Sequence, residues 1–139
     1  MDNDLIAAFH DASAGSINGT MDFPQVVGKL MAVGVESYHC DLYRRERTFY
    51  MPDGGSHVEE ESELDPAEFN GARVAHDFSE NGIKAALKAI QANEISYLEF
   101  LRRIMKAGCV GYLACFAGKR VVYLGRQGDA YIEWFPGAK

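Results

Sequence analysis

The chain has 139 residues, 47% of them apolar and 24% charged, which is enough to bury the core of one domain without disulfides or metals. Its formal net charge of −6 argues against nucleic-acid binding, which normally requires a basic surface. The acidic opening residues do not resemble a leader peptide, and no apolar run reaches the roughly 20 residues that cross a bilayer. Its three cysteines are expected to be reduced thiols. We therefore predict a single cytoplasmic domain over residues 1–139, with no membrane partner.

Two helices are predicted at the start of the chain. The first covers residues 4–14 and is expected to end at Gly15, because glycine is the usual residue after a helix. The second begins at Asp22, where Gln25 completes a capping box, and ends at Gly34. This spacing predicts a pair of short helices joined by a polar loop.

A change from helical to period-two spacing after that pair predicts a β-hairpin and a further strand. The predicted strands are residues 35–43, 47–51 and 57–59. Three arginines near the hairpin turn are interpreted as solvated surface residues: Arg44, Arg45 and Arg47. The acidic residues 61–72, which include a proline, are predicted to form an exposed connection.

The second half of the chain predicts the same order of elements. Ser79 caps a third helix, and Ser96 with Glu99 forms a capping box for a fourth helix, which ends at Gly108. Strands are predicted over residues 109–116 and 120–125 and within 126–135. Each half therefore contains two helices followed by strands.

The two halves match without a gap when the chain is shifted by 74 residues. This shift pairs Gly34 with Gly108 and aligns the caps of the second and fourth helices. Such coincidences favour an internal duplication, with repeats at about residues 4–60 and 79–136, over a chance likeness. We predict an α+β fold of duplicated helix–helix–β-hairpin–strand units, whose helices pack on a mainly antiparallel sheet.

The second half combines an aromatic-x-x-Phe helix, an Ala-Gly helix stop and a closing aromatic strand. The residues of this pattern are Tyr97, Phe100, Ala107, Gly108, Tyr112, Tyr123, Gly128, Glu133, Phe135 and Pro136. In this pattern the chain resembles the YbcV-like family, a small bacterial family of uncharacterised proteins often labelled phage envelope protein. The resemblance covers most of the chain and is strongest over 97–136. It implies an α+β fold, but no activity and no functional residues. The acidic chain has no feature of a virion coat or membrane protein.

Few patterns in the sequence point to catalysis. It has no phosphate-binding glycine motif, no nucleophile elbow and no metal-ligand spacing, so we expect no cofactor and no metal site. His39 and Asp41 share one face of a predicted strand, where the carboxylate could orient the imidazole, or the two could form a weak solvent-facing pair. Cys115 could be a nucleophile with His39 as its base if their strands pair, or a small buried apolar residue.

The last predicted strand carries four candidate ligand or interface residues: Tyr131, Glu133, Trp134 and Phe135. Alternation separates Tyr131 and Phe135 from Trp134, which places one set in the core and leaves the other as an exposed aromatic patch. Glu133 could pair across strands with Arg120 or Arg126, or recognise a ligand.

Together these patterns predict a non-enzymatic binding or interaction module that forms a homo-oligomer, a dimer, through an aromatic face of its sheet or its last strand. The alternative is a small-metabolite-binding protein, or a small enzyme, with a site at His39 and Asp41 between the two halves. The lack of catalytic motifs favours the first hypothesis. The second is favoured because pockets occur preferentially between structural units.

Overall fold

The structure, a computed structural model, describes residues 2–61 and 64–138 and confirms the α+β class. Its helices are α1 Asn3–Asn18, α2 Phe23–Ala32, α3 Glu80–Gln91 and α4 Tyr97–Lys106. Its strands are β1 Ser37–Asp41, β2 Glu46–Tyr50, β3 Ser56–Glu60, β4 Cys109–Cys115, β5 Arg120–Gly125 and β6 Ala130–Trp134. A short 3-10 helix, Gly71–Arg73, lies between the halves. In the described ranges, no helix is long and apolar enough to cross a membrane.

All six strands form one antiparallel sheet in the order β3-β2-β1-β4-β5-β6. The two halves therefore meet at a central strand pair, β1 and β4, in which Tyr38 lies opposite Ala114. Gly111 permits this pairing, because a Cβ at that position would lie only 2.5 Å from the carbonyl oxygen of Cys40. Each half adds two more strands outward from the central pair.

The four helices cover one face of the sheet. Phe9 of α1 stacks on Phe49 of β2 with ring centroids 4.5 Å apart, and Phe100 of α4 packs edge-on against Tyr123 of β5. These rings are buried and form part of a continuous apolar core. In the described part of the chain, no helix covers the opposite face, which we call the open face. Its central side chains are Val58, Thr48, His39, Leu113, Val122 and Ile132.

The predicted capping box of α2 is present, and that of α4 is present in part. Asp22 Oδ1 accepts a hydrogen bond from the backbone N–H of Gln25, and Gln25 Oε1 accepts one from the backbone N–H of Asp22. At α4, the Ser96 hydroxyl accepts from the backbone N–H of Glu99 at 3.1 Å, but the Glu99 carboxylate accepts from Arg102 and Arg103 and does not complete the box. Capping satisfies N–H groups that have no partner inside the helix, so both helices begin where the sequence indicates.

The expected end of α1 at Gly15 is wrong. The helix continues to Asn18 and ends at Gly19, whose φ of +78° is left-handed. Gly15 instead permits close packing, since a Cβ there would lie 2.7 Å from Cγ of Met21. The longer helix carries Ser16 into the protein interior.

The interpretation of residues 61–72 as an exposed connection is also wrong in part. Leu64 and Phe69 are each 2% exposed and belong to the core, and Glu61 is 3% exposed. Two residues of this segment, Ser62 and Glu63, lie outside the described residues. Leu64 and Phe69 hold the connection against the rest of the domain, which the acidic composition of the segment does not indicate.

Residues 74 positions apart share unusual backbone conformations. Gly34 and Gly108 have φ values of +87° and +89°, and the hairpin-turn residues Arg45 and Lys119 have φ values of 55° and 52°. The two halves therefore use the same local geometry at helix ends and at hairpin turns. An origin of this likeness in gene duplication stays a prediction.

Gly108→Ala is expected to lower the free energy of unfolding more than Gly34→Ala. Both positions have a left-handed φ, which costs an L-residue about 1–2 kcal/mol. At position 108 the new Cβ would also lie 2.4 Å from the carbonyl oxygen of Asp77, whereas at 34 the nearest atom is Met51 Cε at 3.7 Å. Urea unfolding followed by circular dichroism measures both losses. Equal losses would contradict the close contact at Gly108.

Candidate functional site

A buried ion pair lies between the helices and the sheet. Arg47 of β2 has no exposed surface, and its Nε lies 3.1 Å from Oε1 of Glu61. The expectation that Arg47 is a solvated turn residue is wrong, because β2 begins at Glu46 and alternation turns Arg47 to the same face as Phe49. A buried guanidinium requires a partner of opposite charge, and Glu61 supplies it.

Tyrosine hydroxyls extend from this ion pair to the middle of the sheet. Arg47 donates from Nη2 to the Tyr97 hydroxyl at 3.0 Å and from Nη1 to the Ser16 hydroxyl at 3.2 Å. The hydroxyls of Tyr97 and Tyr112 are 2.7 Å apart, and Cys40 Sγ lies 3.7 Å from the Tyr97 hydroxyl. Hydrogen bonds and the ion pair therefore connect side chains from both halves. We call this group of side chains the Arg47 network: Ser16, Cys40, Arg47, Glu61, Tyr97 and Tyr112.

The tyrosines in and beside the Arg47 network are neutral at physiological pH. Burial raises the pKa of Tyr38 to about 12. Burial also raises the pKa of Tyr97, Tyr112 and Tyr123 well above its usual range. A neutral phenol can donate as well as accept a hydrogen bond, so this region presents hydroxyl groups and not negative charges.

A pocket of about 460 Å³ opens above these tyrosines, between the two halves. Its floor consists of Tyr38, Tyr97, Phe100, Tyr112 and Tyr123. The two helix–helix connections form its mouth, since α1 and α3 end there and α2 and α4 begin there. The volume lies within the range of roughly 300–1,000 Å³ that is usual for small-molecule sites.

The outer wall of the pocket is formed by the end of β6. Three of the predicted ligand or interface residues contribute to it: Glu133, Trp134 and Phe135. Phe135 packs edge-on against Phe23 of α2, with ring centroids 5.6 Å apart. The fourth predicted residue, Tyr131, donates a hydrogen bond from its hydroxyl to Glu133 Oε2 at 2.9 Å. The arginine pairing expected for Glu133 is wrong. Arg120 lies over the Trp134 ring, 4.0 Å from its centroid, and Arg126 donates hydrogen bonds to the carbonyl oxygens of Gly71 and Val74.

The three candidate catalytic residues, His39, Asp41 and Cys115, lie on the open face and not in the pocket. Asp41 Oδ1 accepts hydrogen bonds from the backbone N–H groups of Tyr43 and Arg44, so this carboxylate stabilises the hairpin turn. Strands β1 and β4 do pair, which makes Cys115 a diagonal neighbour of His39. Burial raises the pKa of Cys115, however, which disfavours the nucleophilic thiolate.

No functional role for the floor tyrosines was predicted from the sequence, although two patterns in the sequence involve them. Alternation places Tyr38 on the same strand face as Cys40, and the 74-residue shift pairs Tyr38 with Tyr112. That pattern identifies buried strand residues and does not reveal that their hydroxyls converge. Their convergence with Tyr97 and Arg47 depends on how the halves pack, which no local spacing shows.

The site offers little for a metal ion. Among residues 2–61 and 64–138, no group of three or more His, Cys, Asp or Glu side chains is arranged to hold one.

No protein-family model matches the chain, and no curated protein matches it either. The relationship to the YbcV-like family therefore stays a prediction.

Arg47→Met is expected to lower the free energy of unfolding by about 3–5 kcal/mol, because it removes one partner of a buried ion pair. Arg44→Met is the matched control: its side chain is 72% exposed and its Nε lies 2.9 Å from Glu46 Oε1. Exposed pairs contribute about 0–1 kcal/mol, so this control should unfold almost as the parent does. Urea unfolding of both variants makes the comparison, and similar losses would contradict a stabilising role for the Arg47 network.

Proposed function

We propose that this protein binds a small organic molecule in the pocket between its two halves. The observation that carries the proposal is a pocket of about 460 Å³ whose floor combines aromatic rings with clustered neutral hydroxyls. Small-molecule sites typically have such a lining, mostly apolar with a few fixed polar groups. Arg47 holds the Tyr97 hydroxyl in place before a ligand arrives, which reduces the entropy lost on binding.

Binding without catalysis agrees best with the chemistry of these residues. Burial raises the pKa of the Cys40 and Cys115 thiols and brings that of Cys109 to about 12, so all three stay protonated. His39 and Asp41 lie on the far side of the sheet from the pocket. This arrangement supports a non-enzymatic role for the pocket.

A cytoplasmic location, without nucleic-acid or membrane partners, is part of the same proposal. The three cysteines are free thiols, which suits a reducing compartment. The net charge of −6 disfavours attraction to a phosphate backbone.

Val121→Phe is expected to block the pocket. Val121 is 4% exposed and belongs to the lining, so the larger ring would occupy ligand space. The probe is 1-N-phenylnaphthylamine, an uncharged aromatic dye that fluoresces when it leaves water for an apolar site. The parent protein should bind the dye, and Val121→Phe should weaken this binding by about tenfold or more.

The matched control is Val122→Phe, which places the same ring on the next residue of β5, facing away from the pocket. This variant should bind the dye as the parent does, and circular dichroism should show that both variants are folded. Absence of dye binding by the parent protein, or equal binding by both variants, would contradict the proposed site.

A second candidate function, self-association, is favoured by the open face. One row of side chains crosses all six strands there: Val58, Thr48, His39, Leu113, Val122 and Ile132. The ends of the row are the most exposed, with Val58 at 49% and Ile132 at 42%. Large apolar side chains on an uncovered sheet face are typical of interaction surfaces.

A second copy of this chain is the partner that best suits the row. The 74-residue shift relates Val58 to Ile132 and Thr48 to Val122, so the row is similar when read from either end. A twofold-symmetric dimer brings one surface patch against itself, and a patch with this internal symmetry is readily self-complementary.

Ile132→Lys is expected to raise the dissociation constant of the dimer by about tenfold or more, because it buries a charge in the interface. Met31→Lys is the control, since Met31 is 55% exposed on α2, on the helix side of the sheet. Sedimentation equilibrium over a concentration series measures both constants. A parent protein that is monomeric at the highest concentration would rule out this second function.

A further inference from the structure

The charged side chains that line the pocket are carboxylates. Among the described residues of the lining, Asp22 and Glu133 are acidic, and none is a lysine or an arginine. The nearest buried cation, Arg47, contacts the hydroxyl of Tyr97 from outside the lining and is paired with Glu61. The pocket wall therefore carries negative charge that no cation of the wall balances.

Glu133 differs in its surroundings from its counterpart in the first half. The 74-residue shift relates it to Glu59, and both side chains point towards the helices. The two carboxylate oxygens of Glu59 lie 2.7 Å from His10 Nδ1 and 2.8 Å from His57 Nε2. At Glu133, by contrast, Oε2 accepts from the Tyr131 hydroxyl and the side chain lines the pocket. In the second half, Tyr131 and the open pocket thus lie beside the carboxylate, where the two imidazoles lie in the first half.

Neither the helix ends nor the nearest lysine offsets this charge. The macrodipoles of α2 and α4 are opposed by those of α1 and α3, because two helices begin at the pocket and two end there. The side chains of Asp22 and Ser96 already occupy N–H groups at the two helix starts. Lys84 lies over the Tyr131 ring, outside the lining, and pairs with Glu80 at 3.3 Å.

The deep end of the pocket is neutral and its outer end is acidic. At the floor, the hydroxyls of Tyr97 and Tyr112 are neutral hydrogen-bonding groups, and the charge of Arg47 behind them is balanced by Glu61. At the outer wall, the Glu133 carboxylate attracts a cation, and the neighbouring Phe135 adds an aromatic ring, a group that can also attract one. The aromatic rings of the lining bury an apolar or aromatic body.

We infer that the pocket selects an organic cation with an aromatic or apolar body, whose ammonium group contacts Glu133 and whose other end reaches the floor hydroxyls. This inference rests on the proposed binding function and adds the charge and the orientation of the ligand. Anionic ligands such as carboxylates and phosphates are disfavoured by the same carboxylate.

Three probes of nearly equal shape test the inference: tryptamine, a cation; tryptophol, a neutral alcohol; and indole-3-acetate, an anion. Each is used to displace 1-N-phenylnaphthylamine from the parent protein at neutral pH. Tryptamine should bind about tenfold more tightly than tryptophol, and indole-3-acetate should bind most weakly. This ranking needs no variant, so it does not depend on the folding of a mutant.

Glu133→Gln tests which residue is responsible for the preference. It removes the charge and keeps the shape, so the ratio of tryptamine to tryptophol affinity should fall from about ten to about one. Glu60→Gln is the matched control, because it makes the same change at an exposed position of β3, and the ratio should stay at about ten.

The possible negative results contradict different parts of the proposal. If the dye binds and the three indoles compete equally, or the anion competes best, the ligand class is wrong while the binding pocket stands. A preference for tryptamine that survives in Glu133→Gln would overturn the role of Glu133. If the dye does not bind to the parent protein, the proposed function fails, and the inference fails with it.

Discussion

The buried ion pair of Arg47 and Glu61 determines how the helices are arranged on the sheet. A guanidinium without exposed surface is stable only where its donors meet acceptors and its charge is balanced. Ser16 of α1 and Tyr97 of α4 supply acceptors, and Glu61 supplies the charge from the segment after β3. Because these groups come from both halves, one charged side chain sets the spacing of α1 and α4. The pocket floor therefore depends on a charge that is not part of its lining.

The two halves share a backbone plan but differ in the chemistry of matching positions. In the first half, His57 stacks against Phe9 and contacts Glu59, so this carboxylate is held within a closed structure. In the second half, Glu133 occupies the corresponding place beside an open pocket. The backbone geometry at turns and helix ends is alike in the two halves, whereas the side chains at matching positions differ. Matching positions whose surroundings differ between the halves thus indicate the site. Matching glycines indicate the shared backbone geometry.

Local patterns in the sequence predict the elements of this fold well and its polar core poorly. Asp22 and Ser96 identify helix starts because capping depends on residues only three positions away. Arg47 is different: in a run of arginines it has the pattern of a surface residue, and only the phase of β2 reveals that it points inward. Its partner Glu61 lies in an acidic segment, where one buried carboxylate cannot be told from its exposed neighbours. The pocket is a gap between packed helices, so it has no local pattern at all.

The composition of the Arg47 network also determines what the smallest folding unit of this protein is. Ser16, Arg47 and Glu61 belong to the first half, and Tyr97 and Tyr112 belong to the second. A first half on its own would bury a guanidinium that lacks the Tyr97 acceptor, and it would leave β1 without its partner β4. Similar folds of the two halves therefore do not make them separable domains. If the chain were cut in the connection between them, the two fragments would be complementary parts that acquire their structure only by assembling with each other.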